Sequence, residues 1–535
     1  MRQFAKWHHL ALGMLALMAC SSPPERAERP NILLIVADDL GYADLGVFGS
    51  DIRTPSIDDL AAEGTIFTQF HTAPLCAPTR AMLLTGNNNH VAGMGRQGRS
   101  LSIPGYEGHL SDRVALMPRL LQEAGYHTYT AGKWHLGTAP EHGPTAAGFE
   151  RSFNLLHGAG SHFSSVGFFE GGSQYSEDGA EVEFPEGQYT TELFTDRLIE
   201  FIDSQKDDGR PFFAFAAYTS PHWPLQVPDE YLDLYAGQYD QGYDRLREER
   251  FESLKAAGII PESSMLPPRN DAITPWTELT DDEQRREARK MELYASMVEN
   301  LDYHVGRLID HLKANDLYEN TMIVFMSDNG AAGNDFYRAG MYSEYLQTHY
   351  DNSYANMGRP TSWVSYGPPW AEAGSAPFSR YKGYTMEGGI AAPMIIAGAG
   401  VSGRNEINRN YLTVMDLAPT FLDLAEAHYP SDGSVWPMLG ESMQPILSGS
   451  ATSVHAEDYV TTLFHGGRAF VRQSKWKLVN LDSPFSESVF ELYDLEADPG
   501  ETRNLAEVEP ERFAMMIELW REQRPMLGII LPGER

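Results

Sequence analysis

Cys76 opens the run Cys76-Ala-Pro-Thr-Arg80, which leads into Leu83-Leu84-Thr85-Gly86, and the 535-residue chain has only one other cysteine, Cys20. With its other cysteine placed in a leader-like segment, the chain's Cys76 reads as a catalytic position. By residue type alone the run also fits an ordinary turn into a helix, with Pro78 early in the helix and the cysteine as a small apolar residue. Two oxygen-rich pairs add a second kind of chemistry: Asp38-Asp39 ends the apolar run from Asn31, and Asp328-Asn329 ends the apolar run from Thr321. Asp and Asn also start turns and cap helices, so either pair by itself is ambiguous. Two such clusters of hard oxygen donors fit calcium or magnesium better than zinc.

The elements that must carry these residues are strands. Asn31-Ile-Leu-Leu-Ile-Val-Ala and Thr321-Met-Ile-Val-Phe-Met-Ser are continuously apolar, the pattern of strands buried on both faces of an α/β sheet. Ligands collect at the carboxyl ends of such strands, so both pairs are expected at one sheet edge. Three further segments repeat the arrangement of apolar element followed by polar residues. A helix ending near Gly125 and a strand over 126–131 lead to Gly132-Lys133-Trp134-His135, where an extended backbone would point Lys133 and His135 to the same side. Alternatively, Lys133 is solvated and His135 packs beside Trp134. The strand Phe212 to Tyr218 runs into Pro221-His222-Trp223-Pro224, where the prolines stiffen the loop around a histidine that is either a general acid or a plain loop residue. Lys382, in Ser379-Arg-Tyr-Lys382-Gly-Tyr-Thr-Met-Glu387-Gly-Gly-Ile390, precedes another apolar strand at Met394.

Taken in chain order, Cys-x-Pro-x-Arg with Thr85-Gly86, Gly-Lys-Trp-His, Pro-His-x-Pro and the lysine before Gly-Gly resemble the formylglycine-dependent sulfatases of the alkaline phosphatase superfamily, nearest to bacterial arylsulfatases. The resemblance runs from about Pro30 to Ala506. It implies a large, mixed, mostly parallel α/β sheet flanked by helices, with a smaller C-terminal α+β subdomain. It implies that Cys76 is oxidised to formylglycine by a formylglycine-generating enzyme, and that the aldehyde hydrate attacks an aryl or alkyl sulfate ester or a small sulfated sugar, giving alcohol and sulfate through a sulfated-enzyme intermediate. It implies metal ligands at Asp38, Asp39, Asp328, Asn329 and the modified Cys76, with Ca2+ the commonest ion and Mg2+ less so. Arg80 would polarise the nucleophile, Lys133 and Lys382 would bind sulfate, His135 would deprotonate the sulfated intermediate, and His222 would protonate the leaving oxygen. Ala391 departs from the pattern, standing where many relatives carry arginine.

Arg2, Lys6, an apolar run from Leu10 and Leu17-Met-Ala-Cys20 have the layout of an export signal. The run is roughly half of the ~20 residues a membrane span needs. It resembles a lipobox, so residues 1–19 are expected to be removed and 20–29 to form a tether lipidated at Cys20, the only membrane attachment. That places the protein in the bacterial periplasm or cell envelope, anchored to the outer membrane. Residues 30–429 are then the catalytic domain and 430–535 a subdomain with a small antiparallel sheet and a terminal helix. No cysteine remains for a disulfide. The net charge of −33 argues against nucleic-acid partners and a basic track for a long sulfated polymer. Segments 158–187 and 350–377 read as loops whose aromatics either pack internally or receive an apolar leaving group. The charged stretch 240–289 reads as helices with solvated faces.

Two other functions fit the same residues. A phosphonate monoester or phosphodiester hydrolase shares the nucleophile and metal and differs in the charge of the transferred group. A lipid-anchored binding protein keeps the fold without oxidising Cys76.

Overall fold

The apolar run from Asn31 forms the strand Asn31–Ala37 in the middle of a ten-stranded sheet. A computed structural model describes residues 29–534 apart from 99, 482 and 532, so the expected signal and Cys20 lie outside the described residues. The tether is expected to end at Arg29, whose guanidinium donates to Ala124 O and Ala425 O and so is tied to the folded body.

Five strands run parallel side by side in the order Thr321–Ser327, Asn31–Ala37, Phe212–Ala217, His127–Lys133 and Arg151–Leu155. Met394–Gly398 adds an antiparallel strand on one side, followed by Thr65–Phe67 and Glu406–Asn408. Tyr175–Glu177 and Ala180–Val182 close the other side as an antiparallel pair, so the segment 158–187 is only partly a loop. The sheet is therefore mixed and mostly parallel, with helices on both faces.

Continuous apolar composition is required because alternate residues feed different cores. Leu33, Ile35 and Ala37 face the cluster packed by Pro55–Glu63, Thr190–Gln205 and the long helix Asp281–Ala314. Ile32, Leu34 and Val36 face the helices Cys76–Thr85, Met117–Glu123 and Leu417–Leu424. The second core continues through Phe464, Phe470, Leu478 and Trp520 into the C-terminal subdomain. There Val460–His465, Arg468–Gln473, Trp476–Asn480 and Glu491–Asp494 form an antiparallel sheet covered by the helix Pro510–Met526. Among the described residues no helix is long and apolar enough to cross a membrane.

Two expectations change. The segment 350–377 contains the helix Gly367–Gly374, and Trp363, Tyr366 and Trp370 are buried against Trp223, Tyr294 and Trp276 respectively, so these aromatics join the core of the large domain. Within 240–289, Arg247 and Arg250 are buried rather than solvated: Arg250 pairs with Asp44 and, at 3.1 Å, with Asp51. A local charge pattern cannot show such pairing, because the partner lies about two hundred residues away.

Candidate active site

Register brings the two oxygen clusters together. Ala37 is paired with Ser327, so the next residues, Asp38 and Asp328, leave adjacent strands side by side. Asp328 N–H donates to Ala37 O at 3.1 Å, and Asp39 N–H donates to Asp328 Oδ1 at 3.2 Å. Asn329 donates its amide to Asp39 Oδ1 at 2.7 Å. On the other flank, Asp38 N–H donates to Ser220 O, which ties the strand end to the loop bearing His222.

Cys76 is the first residue of the buried ten-residue helix Cys76–Thr85. Its Sγ lies 3.5 Å from Asp38 Oδ1 and 3.8 Å from Asp39 Oδ1, with Lys382 Nζ at 3.1 Å. Lys382 also pairs with Asp39 Oδ1, and Lys133 Nζ with Asp38 Oδ2 at 2.6 Å. One turn into the helix, Arg80 grips Asp328 Oδ2 through Nε and Nη2 at 3.2 and 2.9 Å and donates to Lys133 O at 2.8 Å. His222 Nε2 is 3.3 Å from Asp39 Oδ2, while its Nδ1 donates to Trp223 O. His135 lines the same cavity as Cys76, His222 and Lys382, and its buried Nδ1 has no hydrogen-bond partner. The residues singled out by pattern thus meet at one place. The route to His135 differs from the expected one: the strand ends at Lys133, and His135 has φ +62°, so a left-handed turn packed on Gly158, rather than strand alternation, aims the ring.

The electrostatics follow from burying three carboxylates beside three permanent cations. Burial works against the Asp39 charge, but Lys382, His222 and Lys133 together hold its carboxyl below the usual range. Burial likewise opposes the Lys382 ammonium, which Asp39, Cys76 and Asp38 nevertheless hold charged. Asp328 goes the other way, raised by burial and by Asp38. The Cys76 thiol is pushed up by burial and by Asp328. Burial, then Lys133 and Arg80, keep His135 well below its ordinary value, and burial brings His222 down to about 3.

The donor set suits a hard divalent cation. Asp39 Oδ2 and Asn329 Oδ1 are buried oxygens without a hydrogen bond, and Asp38, Asp39, Cys76 and His222 each place one ligating atom within 4.8 Å of the others. Asp38, Asp39 and Asn329 offer oxygen, and residue 76 would offer oxygen once oxidised, the donor type that calcium and magnesium require.

Pattern reading missed the residues that support the loop of His222. His162 is fully buried; its Nε2 donates to His222 O at 3.1 Å and its Nδ1 faces Thr190 Oγ1 at 2.6 Å. Burial draws this histidine down to about 4. Because the folded value is depressed, the unfolded chain takes up the proton first: the contribution is intact above about 6.5 and is lost as pH falls through 4. We expect His162→Gln to flatten the acid limb of the stability curve, removing on the order of 3 kcal/mol of pH dependence between those limits. Urea unfolding of both proteins across that range is the measurement, and parallel curves would show that His162 is not held neutral.

A family model described as Sulfatase matches residues 30–427. The chain belongs to the sulfatase family. A second model, described as N-sulphoglucosamine sulphohydrolase, C-terminal, matches residues 380–524. An uncharacterised sulfatase of Schizosaccharomyces pombe is 39% identical over 94% of this chain and 95% of its own length. The arylsulfatase of Klebsiella aerogenes is 37% identical over 84% of this chain and 98% of its own. Among solved structures, Ps i-CgsB superposes with a TM-score of 0.67 at 26% identity, covering 93% of both chains. The phosphonate monoester hydrolase of Agrobacterium radiobacter shares the fold, with a TM-score of 0.56 at 19% identity over 93% of this chain and 95% of its own. This sulfatase is accordingly a sulfuric ester hydrolase, in a family that generally uses formylglycine and a divalent metal.

Above Cys76 the sulfatase cavity, about 740 Å³, is walled by aromatic rings. Phe168, Trp223, Phe336 and Tyr342 form a closed cycle of edge-to-face contacts, with centroids 5.7, 5.3, 5.6 and 4.7 Å apart around the ring. Each ring locks its neighbours, so the wall is rigid and apolar. Trp223 adjoins His222, so the wall begins beside that imidazole. Ala391, the departure from the family pattern, lies in the core and does not line this cavity.

Proposed function

We propose that this sulfatase hydrolyses small sulfate esters with a flat, apolar leaving group to alcohol and sulfate, using formylglycine made from Cys76. The observation that carries the reading is the position of Cys76 Sγ, within 3.8 Å of Asp38, Asp39 and Lys382 at the floor of an aromatic-walled cavity. Sγ stands in for the oxygen of the oxidised side chain. One hydroxyl of the hydrate attacks sulfur, giving its proton to Asp328, as the bond from sulfur to the leaving oxygen breaks. That oxygen takes a proton from Nε2 of His222 in its imidazolium form, which Asp39 beside Nε2 favours against burial. The second hydroxyl then loses its proton to His135, the carbonyl re-forms, and sulfate departs. Lys133 and Lys382 bind sulfate oxygens, and Arg80 fixes Asp328 while adding charge near the nucleophile. Asp38, Asp39, Asp328, Asn329 and the oxidised residue 76 hold Ca2+ in this reading, whose charge tips a balanced set of three acids and three bases toward binding an anion.

The maturing chain needs a formylglycine-generating enzyme, and the leader directs it to the cell envelope as a lipoprotein anchored at Cys20. Residues 30–429 serve as the catalytic unit and 430–535 as its subdomain.

The test pairs mass spectrometry of the Cys76 peptide with turnover of matched nitrophenyl sulfate and phosphonate esters. Formylglycine and a preference for sulfate are expected; an unmodified thiol or a preference for phosphonate overturns the reading. Phe336→Ala and Tyr342→Ala should each lower kcat/KM on nitrophenyl sulfate about tenfold, chiefly through KM, and change hydrolysis of a sulfated monosaccharide far less. Equal losses on both substrates would remove the aromatic wall from leaving-group recognition.

A further inference from the structure

The stretch from Ser379 to Ile390, which carries Lys382, is gripped from the C-terminal subdomain at nearly every second residue. Ser379 Oγ donates to Gly500 O at 2.7 Å. Gly383 O, immediately after the lysine, accepts from Arg468 Nη1 at 2.8 Å, and the same guanidinium lies over the Tyr384 ring at 4.1 Å. Thr385 Oγ1 donates toward Ala469 O and Asn480 O at 3.2 and 3.3 Å. Glu387 N–H donates to Glu501 Oε2 at 2.7 Å, and the Glu387 carboxylate pairs with Lys477 at 2.6 Å and His71 at 2.7 Å. Lys477 is wholly buried and also lies 2.9 Å from Glu501.

The catalytic domain holds this stretch near the lysine by two backbone bonds: Lys382 N–H to Ala331 O at 3.0 Å and Gly383 N–H to Pro74 O at 2.8 Å. Gly383 has φ +91°, and a side chain there would meet nothing within 4 Å, so neither sterics nor packing fixes the backbone at this point. Its carbonyl is fixed instead by a charge-assisted bond from Arg468, which is itself anchored to Leu481 O just past the neighbouring strand. A lysine side chain has many rotamers to lose, so placing Nζ beside residue 76 depends on holding its backbone still.

We propose that the C-terminal subdomain sets the position of Lys382 at the active site, with Arg468 as the positioning residue that clamps Gly383. The proposal rests on the reading in which Lys382 contacts sulfate.

A double-mutant cycle in the full-length, matured enzyme tests it. Arg468→Ala is expected to lower kcat/KM on nitrophenyl sulfate about tenfold and to weaken inhibition by inorganic sulfate by a similar factor. In a Lys382→Met background, Arg468→Ala should change kcat/KM less than twofold, because the clamp then has nothing to place. Arg468→Gln, which keeps a donor, should fall between, and it serves in the cycle if the alanine variant folds poorly. Additive losses, or weakened turnover with unchanged sulfate inhibition, overturn the clamp and leave the sulfatase reading standing. Unchanged kcat/KM in Lys382→Met overturns the role of Lys382 and the clamp together.

Discussion

Cys76→Ser is expected to cut turnover by at least about a thousandfold while leaving a single round of ester cleavage intact. Serine keeps the size of the side chain at the head of the buried helix Cys76–Thr85, so the surrounding pairs of Asp38, Asp39 and Lys382 stay in place. Its one hydroxyl can attack sulfur and expel the alcohol. It then has no second hydroxyl, so no carbonyl can re-form and sulfate stays esterified to the enzyme. Rapid mixing should show alcohol released in an amount equal to the enzyme, followed by almost none, and the peptide containing residue 76 should gain the mass of one sulfuryl group. Cys76→Ala should show neither event. Sustained turnover by the serine variant at the rate of the parent enzyme would rule out a mechanism that needs both hydroxyls of a hydrate.

What the sequence made legible was chemistry attached to strong local patterns. Asp38 and Asp328 follow apolar runs long enough to demand central strands, and parallel strands present their carboxyl ends together. Their adjacency needed only that the two strands be neighbours, which the pairing of Ala37 with Ser327 provides. His135 was legible in identity but not in geometry, since its backbone turns left-handed after the strand and its ring rests on Gly158, which comes from a different segment. The aromatic wall was legible only in part, through the aromatics of 158–187 that include Phe168, and its other members were hidden for a similar reason. Phe168, Trp223, Phe336 and Tyr342 come from three segments, and no one of them carries a periodic signal. The segment 350–377, whose aromatics drew attention, uses them as core. Gln97 shows the limit most plainly: its Oε1 accepts from Ala77 N–H at 3.3 Å and it lines the cavity beside Cys76, yet nothing around it in the chain marks it.

The grip on Lys382 extends this point to the subdomain. A small antiparallel sheet was expected within 430–535, but strand patterns cannot show what Arg468 and Lys477 reach. Both reach back to one short stretch of the catalytic domain, and Lys477 enters a fully buried set of charges. Buried pairs of this kind are weak evidence for stability and better evidence for a specified geometry. The shared second core has the same consequence, because Phe464 and Trp520 pack in one cluster with Leu34 and Val36. The subdomain is therefore an integral wall of the enzyme rather than an appended module.

Removal of the divalent cation is expected to lower activity at least a hundredfold, with recovery by Ca2+, partial recovery by Mg2+ and none by Zn2+. Five positions supply the proposed ligands, all but residue 76 through carboxylate or carboxamide oxygen and residue 76 through oxygen once oxidised. Such a set favours calcium, whose shell is larger and more tolerant of irregular geometry than that of magnesium. Two of the oxygens, Asp39 Oδ2 and Asn329 Oδ1, are buried with no hydrogen-bond partner, so a cation would satisfy groups that the protein itself leaves unmet. Binding to the folded state alone raises stability by about 2.7 kcal/mol when calcium is at one hundred times its Kd, so chelation should lower the thermal midpoint as well. Asn329→Leu removes one neutral oxygen without changing charge and should weaken calcium tenfold or more, read by the calcium dependence of both the thermal midpoint and the rate. Chelated enzyme shown by elemental analysis to be metal-free, yet fully active and no less stable, would exclude the cation from both roles. A calcium dependence that Asn329→Leu leaves unchanged would place the ion elsewhere.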